Sequence, residues 1–354
     1  MQIPFIGKRK KDEEEDYSEF KDLKTEHKRS RGEPSKPWGK KERLIVFSVL
    51  FATVLTSAVG GLSARNWKLP GIPKLKLPRL TLPDLGGVFT QTIIVEKNGE
   101  LALSNSKSSE IVSGVSELTT NLSGVYAFYL IDLSSGYTFG LNQKEQMQAA
   151  SLIKLPAMAL FYKQSESGKI SMNTSYSLRQ EDKVGGSGSL YTKKVGEKLT
   201  YEDLVCYMGK QSDNTAFNIA RNIVGDSQIQ DFIYETGLSD TSLIENTTTP
   251  VDVGVSFQKL WEGKLISNSS RDKVLDCLTK TIYEDYLPKN IDDSVNVPHK
   301  YGREIHVIND AGLILTEKPF VLVIMTDGIV DEEAESALPK IISLIYTKWV
   351  SDGN

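Results

Sequence analysis

In the stretch "AASLIKLPAM", Ser151 stands three residues before Lys154 inside an otherwise apolar run. On a helix, residues so spaced share a face with Cβ atoms about 5–6 Å apart, so an amine at the second position reaches a hydroxyl at the first. A serine whose proton is taken by a neutral lysine is an activated nucleophile. Lysine serves in that role only when burial or a second cation lowers its pKa, and Leu152, Ile153, Leu155 and Ala157 supply the burial. A second pattern, Ser212-Asp213-Asn214 in "GKQSDNTAFNIARNIV", offers another hydroxyl just before a helix. A third, Lys300-Tyr301-Gly302 in "VPHKYGREIHV", brings a further ammonium. Each also has a plain structural reading: S-x-x-K fits a helix cap followed by a snorkelling lysine, and Ser, Asp and Asn are ordinary N-caps. A Ser-His-Asp relay has less to stand on. His27 lies in a charged tail, and neither His299 nor His306 is backed by a nucleophile motif. No ligand cluster has zinc-site spacing, and nothing calls for a metal or cofactor.

Periodicity gives the elements that must position these groups. From about Ser108 the pattern is globular: "SSEIVSGVSELTTNL" reads as an amphipathic helix, and "GVYAFYLIDLSSGYTFGLN" as two strands joined by a Ser-Ser-Gly turn. Ser151 falls where strand gives way to "LIKLPAMALFYK", at or just inside a helix N-terminus. There, unpaired N–H groups and the positive dipole end can stabilise a developing oxyanion. Near the end, "REIHVINDAGLIL" and "FVLVIMT" read as strands joined across "TEKP", with Lys300, Tyr301 and Gly302 entering the penultimate strand. "DEEAESALPKIISLIYTKWV" closes the chain as a helix with acids in its first turn. Strands at both ends with helices between them imply an α/β fold of the α+β type. One antiparallel sheet is completed by both ends of this region and covered by helices.

S-x-x-K, S-D-N and K-x-G in this order resemble the three motifs of the penicillin-recognising serine hydrolases, specifically class A β-lactamases. The likeness continues in "SLIKLPAMALFYKQSESGKI", similar to that family's nucleophile helix, and in "TTTPVDVGVSFQKLWEGKLIS", similar to its Thr-Thr-Thr-Pro helix entry. It runs from about Ser108 to the end and implies a β-lactamase/transpeptidase-like domain with a helical subdomain. It also implies roles: Ser151 attacks a carbonyl, Lys154 takes part in proton removal, and Ser212 passes a proton to the leaving nitrogen while Lys300 holds its hydroxyl. Asn214 would bind the substrate's amide side chain, and the backbone N–H groups of Ser151 and of Arg303, after Gly302, would form the oxyanion hole. The implied partner is a β-lactam or a peptidoglycan stem peptide. Two departures stand out. Tyr301 occupies a position where the family has a small hydroxylated residue that contacts the substrate carboxylate. Only about thirty residues separate Asn214 from Thr247, without the family's long loop bearing the glutamate and asparagine that position the deacylating water. Glu245 is the one acid near the site end of that stretch, as a substitute base or as a capping, solvated residue. Acylation thus looks intact and deacylation weakened, which leaves room for a slow hydrolase, a D,D-peptidase-like penicillin-binding protein or a non-turnover sensor module.

The net charge of −4 over 354 residues gives no basic field for nucleic acid. Residues 1–43 mix "KRKK" and "DEEED" blocks and read as a disordered cytoplasmic tail. Residues 44–64, "LIVFSVLFATVLTSAVGGLSA", run uncharged for long enough to cross about 30 Å of hydrocarbon at about 1.5 Å per residue. Lysines and arginines crowd the chain between Lys24 and Arg43 more than between Arg65 and Arg79, which favours a cytoplasmic N-terminus. A single-pass protein of the bacterial cytoplasmic membrane is the expectation, its catalytic domain (108–354) held outside by residues 65–107. This segment opens with a spacer whose prolines recur every few residues. Cys206 and Cys277 admit one disulfide, but their apolar helical contexts favour two buried thiols.

Overall fold

The computed structural model describes residues 100–350, with side chains from Ser106 onward. The expected tail, membrane span and proline-rich spacer lie outside the described residues. Among the described residues no helix is long and apolar enough to cross a membrane.

Helix α1 (Glu100–Thr119) begins earlier than the apolar periodicity indicated. It leads into β1 (Val125–Asp132) and β2 (Thr138–Leu141), joined through Ser134, Ser135 and Gly136 as the turn residues require. Strands β7 (His299–Glu304), β8 (Val307–Ile314) and β9 (Phe320–Asp327) follow the helical middle, and α8 (Asp331–Val350) ends it. The five strands form one antiparallel sheet in the order β2-β1-β9-β8-β7, so elements from both ends of the domain meet at β1 and β9. Strand periodicity of two sorts the side chains between two cores. Tyr126, Phe128 and Leu130 of β1 pack with Leu322 and Ile324 of β9 under α1 and α8. Ala127, Tyr129 and Ile131 pack with Val321, Val323 and Met325 against the helical subdomain.

One expectation fails here. "REIHVINDAGLIL" is not a single strand: Glu304 pairs with Val307 across the two-residue turn Ile305-His306. Lys300 therefore lies on β7, the edge strand before the penultimate one. The turn carries no glycine or asparagine, and apolar residues alternate through it, so periodicity ran on unbroken. His306 takes the left-handed conformation (φ 60°), and its carbonyl accepts the Ile329 N–H.

The subdomain comprises α2 (Lys154–Glu166), α3 (Tyr201–Lys210), α4 (Asn214–Val224), α5 (Asp226–Glu235), α6 (Pro250–Trp261) and α7 (Asn268–Cys277). Short pairs β3 (Met147–Gln148) with β6 (Thr247–Thr248), and β4 (Ser175–Ser177) with β5 (Lys198–Thr200), lie between them. Caps start the helices where the sequence places them: Thr200 and Asp203 form a capping box on α3, Asp213 caps α4, and Thr249 caps α6 ahead of Pro250. Cys206 and Cys277 are not thiols but a disulfide joining α3 to the end of α7, with Cα atoms 4.7 Å apart. The apolar setting that suggested free thiols is the packing of these two helices. Gly209, one turn on, lets them approach, since a Cβ there would lie 2.4 Å from the Cys277 carbonyl oxygen.

Candidate active site

Ser151 sits in a single 3₁₀ turn, Ala150–Ile153, that runs straight into α2. Ala150 before it has φ 48°, a left-handed conformation costly for a residue with a Cβ, so its surroundings must over-determine it. They do: the Ala149 N–H donates to the Asn246 carbonyl at 2.8 Å, and the buried Asn309 Nδ2 donates to the carbonyls of Gln148 (2.9 Å) and Ala149 (3.3 Å). Asn309 belongs to β8, so the sheet itself sets the attitude of the nucleophile.

The Lys154 ammonium donates to Ser151 Oγ at 2.8 Å, to the Ser212 carbonyl at 2.6 Å, to Asn214 Oδ1 at 2.7 Å and to Ser212 Oγ at 3.3 Å. Burial lowers its pKa to about 8, against the opposing pull of the Asp213 and Glu304 carboxylates. Lys300 is buried too, and donates to Ser212 Oγ at 2.9 Å and to the Tyr301 carbonyl at 2.6 Å. Desolvation, and then the charge of Lys154, push its pKa well below the ordinary lysine value. Ser212 has φ 51° and thus presents both its hydroxyl and its carbonyl to these two amines. A hydroxyl bridging two amines, one already on the nucleophile, is a continuous path for a proton.

Gly302 is where β7 meets the nucleophile turn, because a Cβ there would lie 2.9 Å from the Ser151 nitrogen and 3.2 Å from the Ala150 Cβ. Backbone groups of an edge strand alternate between the neighbouring strand and the open side. The His299 N–H points away from β8, to the Leu278 carbonyl at 2.9 Å. Four residues on, the Arg303 N–H has the same sense, and its register partner Ile308 turns its own N–H to Thr326 Oγ1. The N–H groups expected to bind an oxyanion therefore stand beside the same opening. The Arg303 side chain turns the other way, pairing with Asp331 (2.7 Å) and Glu335 (2.9 Å) on α8.

Tyr301 also faces α8. Its ring stacks between Tyr283 and Tyr286, with centroids 4.9 and 5.7 Å away, and borders a cavity of about 350 Å³ with Arg303 and Glu335. Asn214 is engaged at both ends of its carboxamide, Oδ1 by Lys154 and Nδ2 by the Gly185 carbonyl at 2.9 Å, so a substrate amide has to share it. Glu245 is exposed on the turn before β6, and its N–H donates to Ser242 Oγ at 3.2 Å.

Two residues that the sequence reading gave no role support the site. Asp213 is fully buried, its carboxylate accepting from the N–H groups of Leu190 and Ala216, which anchors the loop before β5 to the entry of α4. His299 is no triad member. Its Nδ1 meets Asp310 at 2.7 Å, and its Nε2 faces Thr281 (3.1 Å) and Glu284 (3.3 Å) rather than a nucleophile. Burial disfavours its cation, but Asp310 and Glu284 outweigh that and raise the pKa to about 9. This pair pins the segment carrying Tyr283, whose hydroxyl contacts Ser187 at 2.8 Å. The acid inside the apolar strand "VINDAGLI" was the available signal, since a charge there needs a buried partner.

The fold and the sequence have known counterparts. A solved β-lactamase from Sphaerobacter thermophilus is 27% identical, with a TM-score of 0.62, covering 69% of this chain and 96% of that one. PBP-A, 22% identical with a TM-score of 0.64, covers 70% and 96% and shares the fold. The β-lactamase CARB-3 of Pseudomonas aeruginosa is 26% identical over 186 residues, 48% of this chain and 64% of that protein, so the match spans less than two thirds of this relative. The model of the beta-lactamase enzyme family matches residues 110–349, and the chain belongs to that family.

Proposed function

We propose that this protein is a membrane-anchored serine hydrolase of the class A type whose outer domain reacts with β-lactams or related cell-wall peptides through an ester on Ser151, and that this ester turns over slowly. The observation that carries the reading is the Lys154 amine at 2.8 Å from Ser151 Oγ, with a pKa lowered to about 8. In its neutral form Lys154 takes the Oγ proton as Oγ bonds to the carbonyl carbon. The N–H groups of Ser151 and Arg303 receive the oxyanion. Collapse breaks the C–N bond, and the proton passes from Lys154 through Ser212 to the leaving nitrogen, while Lys300 holds the Ser212 hydroxyl.

Slow release is supported by the short connection between α5 and β6, which holds "TGLSDTSLIEN" and no long loop. Anchoring is supported by the uncharged run 44–64, and an outer location by the disulfide, since such bonds persist in oxidising compartments. A D,D-peptidase or a non-turnover sensor is favoured by the same short connection and by the likeness to PBP-A, a mutant of which is known as an acyl-enzyme complex with penicillin G.

One experiment tests these parts together: intact cells carrying the full chain are exposed to a fluorescent penicillin and then to external protease. The expected result is a labelled band that sediments with membranes, persists during a chase, and is cut down by the protease. Label that decays within seconds contradicts slow turnover, and label protected from the protease contradicts the topology. D-alanine release from a stem peptide, measured beside turnover of a chromogenic cephalosporin, separates peptidase from hydrolase and sensor.

A further inference from the structure

Glu304 ends strand β7 two residues beyond Gly302. Strand side chains alternate, so Lys300, Gly302 and Glu304 share one face. That face is turned to the nucleophile, as the Lys300 bond to Ser212 and the approach of Gly302 to the Ser151 nitrogen establish. The opposite face carries Tyr301 in its aromatic stack and Arg303 on the acids of α8. Glu304 is exposed, and among the described residues its side chain has no hydrogen-bond or ion-pair partner. Its carboxylate nevertheless acts through space on the Lys154 amine, helping to hold the proton there. Asp213, the other carboxylate that does so, is fully buried and spent on two backbone N–H groups. The turn before β6 meets the same 3₁₀ turn where Asn246 accepts the Ala149 N–H, and β7 meets it at Gly302.

We propose that Glu304 is the general base that hydrolyses the ester on Ser151, supplied from the edge strand in place of a loop glutamate. The proposal rests on the acyl-enzyme reading above. A water between the ester and Glu304 loses a proton to the carboxylate as its oxygen bonds to the acyl carbon. The tetrahedral intermediate then expels Ser151 Oγ, which takes a proton back from Glu304 directly or by way of Lys154. The products are the free acid and the original serine, with no net change at Glu304. A base at an exposed strand end is compatible with a long-lived adduct that still turns over.

The test uses the full chain and its Glu304→Gln and Glu245→Gln variants, each reacted with penicillin G, freed of excess reagent and followed by intact mass. All three are expected to acylate. The adduct on Glu304→Gln should outlive that on wild type by about 10²-fold or more, the lower end of the worth of a positioned general base. Equal lifetimes for wild type and Glu304→Gln overturn the proposal and leave the acyl-enzyme reading standing, and prolongation by Glu245→Gln alone assigns the base to the turn instead. Absence of any adduct on folded wild type overturns both. A purely electrostatic role for Glu304 has its own signature: loss of its charge lowers the Lys154 pKa further and moves the acylation profile to lower pH. That shift without a longer-lived adduct also overturns the proposal.

Discussion

Replacing Lys154 by alanine should slow acylation of Ser151 by about 10²–10⁴-fold, the usual contribution of a positioned acid-base group. Among the described residues no other cation bonds to Ser151 Oγ. Lys300 reaches Ser212 Oγ and the Tyr301 carbonyl but makes no bond to Ser151 Oγ. Removing Lys154 also relieves the charge repulsion on Lys300, which then becomes more basic and more firmly protonated, a poorer proton acceptor still. The same reasoning fixes the sign of the pH dependence in wild type. Only neutral Lys154 can accept the serine proton, so the acylation rate rises with pH through about 8 and levels off above it. Stopped-flow mixing with a β-lactam from pH 6 to pH 10 measures both. A Lys154→Ala rate within a few-fold of wild type contradicts the assignment of the base, as does a wild-type profile that is flat across pH 8.

Opening the Cys206–Cys277 bond should cost about 2–5 kcal/mol of stability, the range for native disulfides. The bond spans 71 residues of chain, and it ties α3, which leads to the Ser212-Asp213-Asn214 segment, to the end of α7. Urea unfolding of the described domain with and without reductant, or of Cys206→Ser with Cys277→Ser, reports the difference as a lower midpoint. Coincident curves contradict it. The effect reaches the site as well, because Lys210, on the same helix and just before that segment, donates to the Thr279 carbonyl beyond Cys277.

Much of this was legible because local chemistry and global fold agree. The sheet follows from period-two runs at both ends of the domain, and the capped helices from Thr200, Asp213 and Thr249, each ahead of an apolar pattern. The candidate catalytic cluster was legible as three motifs whose members the fold brings into contact: Ser151 with Lys154, Ser212, and Lys300 with Gly302. What stayed hidden depends on neighbours far apart in the chain. The β7–β8 hairpin turns at Ile305-His306, a pair without turn chemistry, and is held by Ile329. The disulfide depended on two helices meeting across a glycine. The direction of Tyr301 depended on Tyr283 and Tyr286, and the burial of His299 on Asp310 and Glu284. Glu304 passed unnoticed for the same reason, since its face is defined only once β7 is known to end there.

That Ser151 is the covalent nucleophile is tested most directly by intact mass after reaction with penicillin G, on wild type and on Ser151→Ala. Wild type should gain the mass of one penicilloyl group, on the peptide that contains Ser151, and Ser151→Ala should gain nothing while remaining folded. An adduct of equal stoichiometry on Ser151→Ala, or one mapped to another residue of wild type, would contradict it.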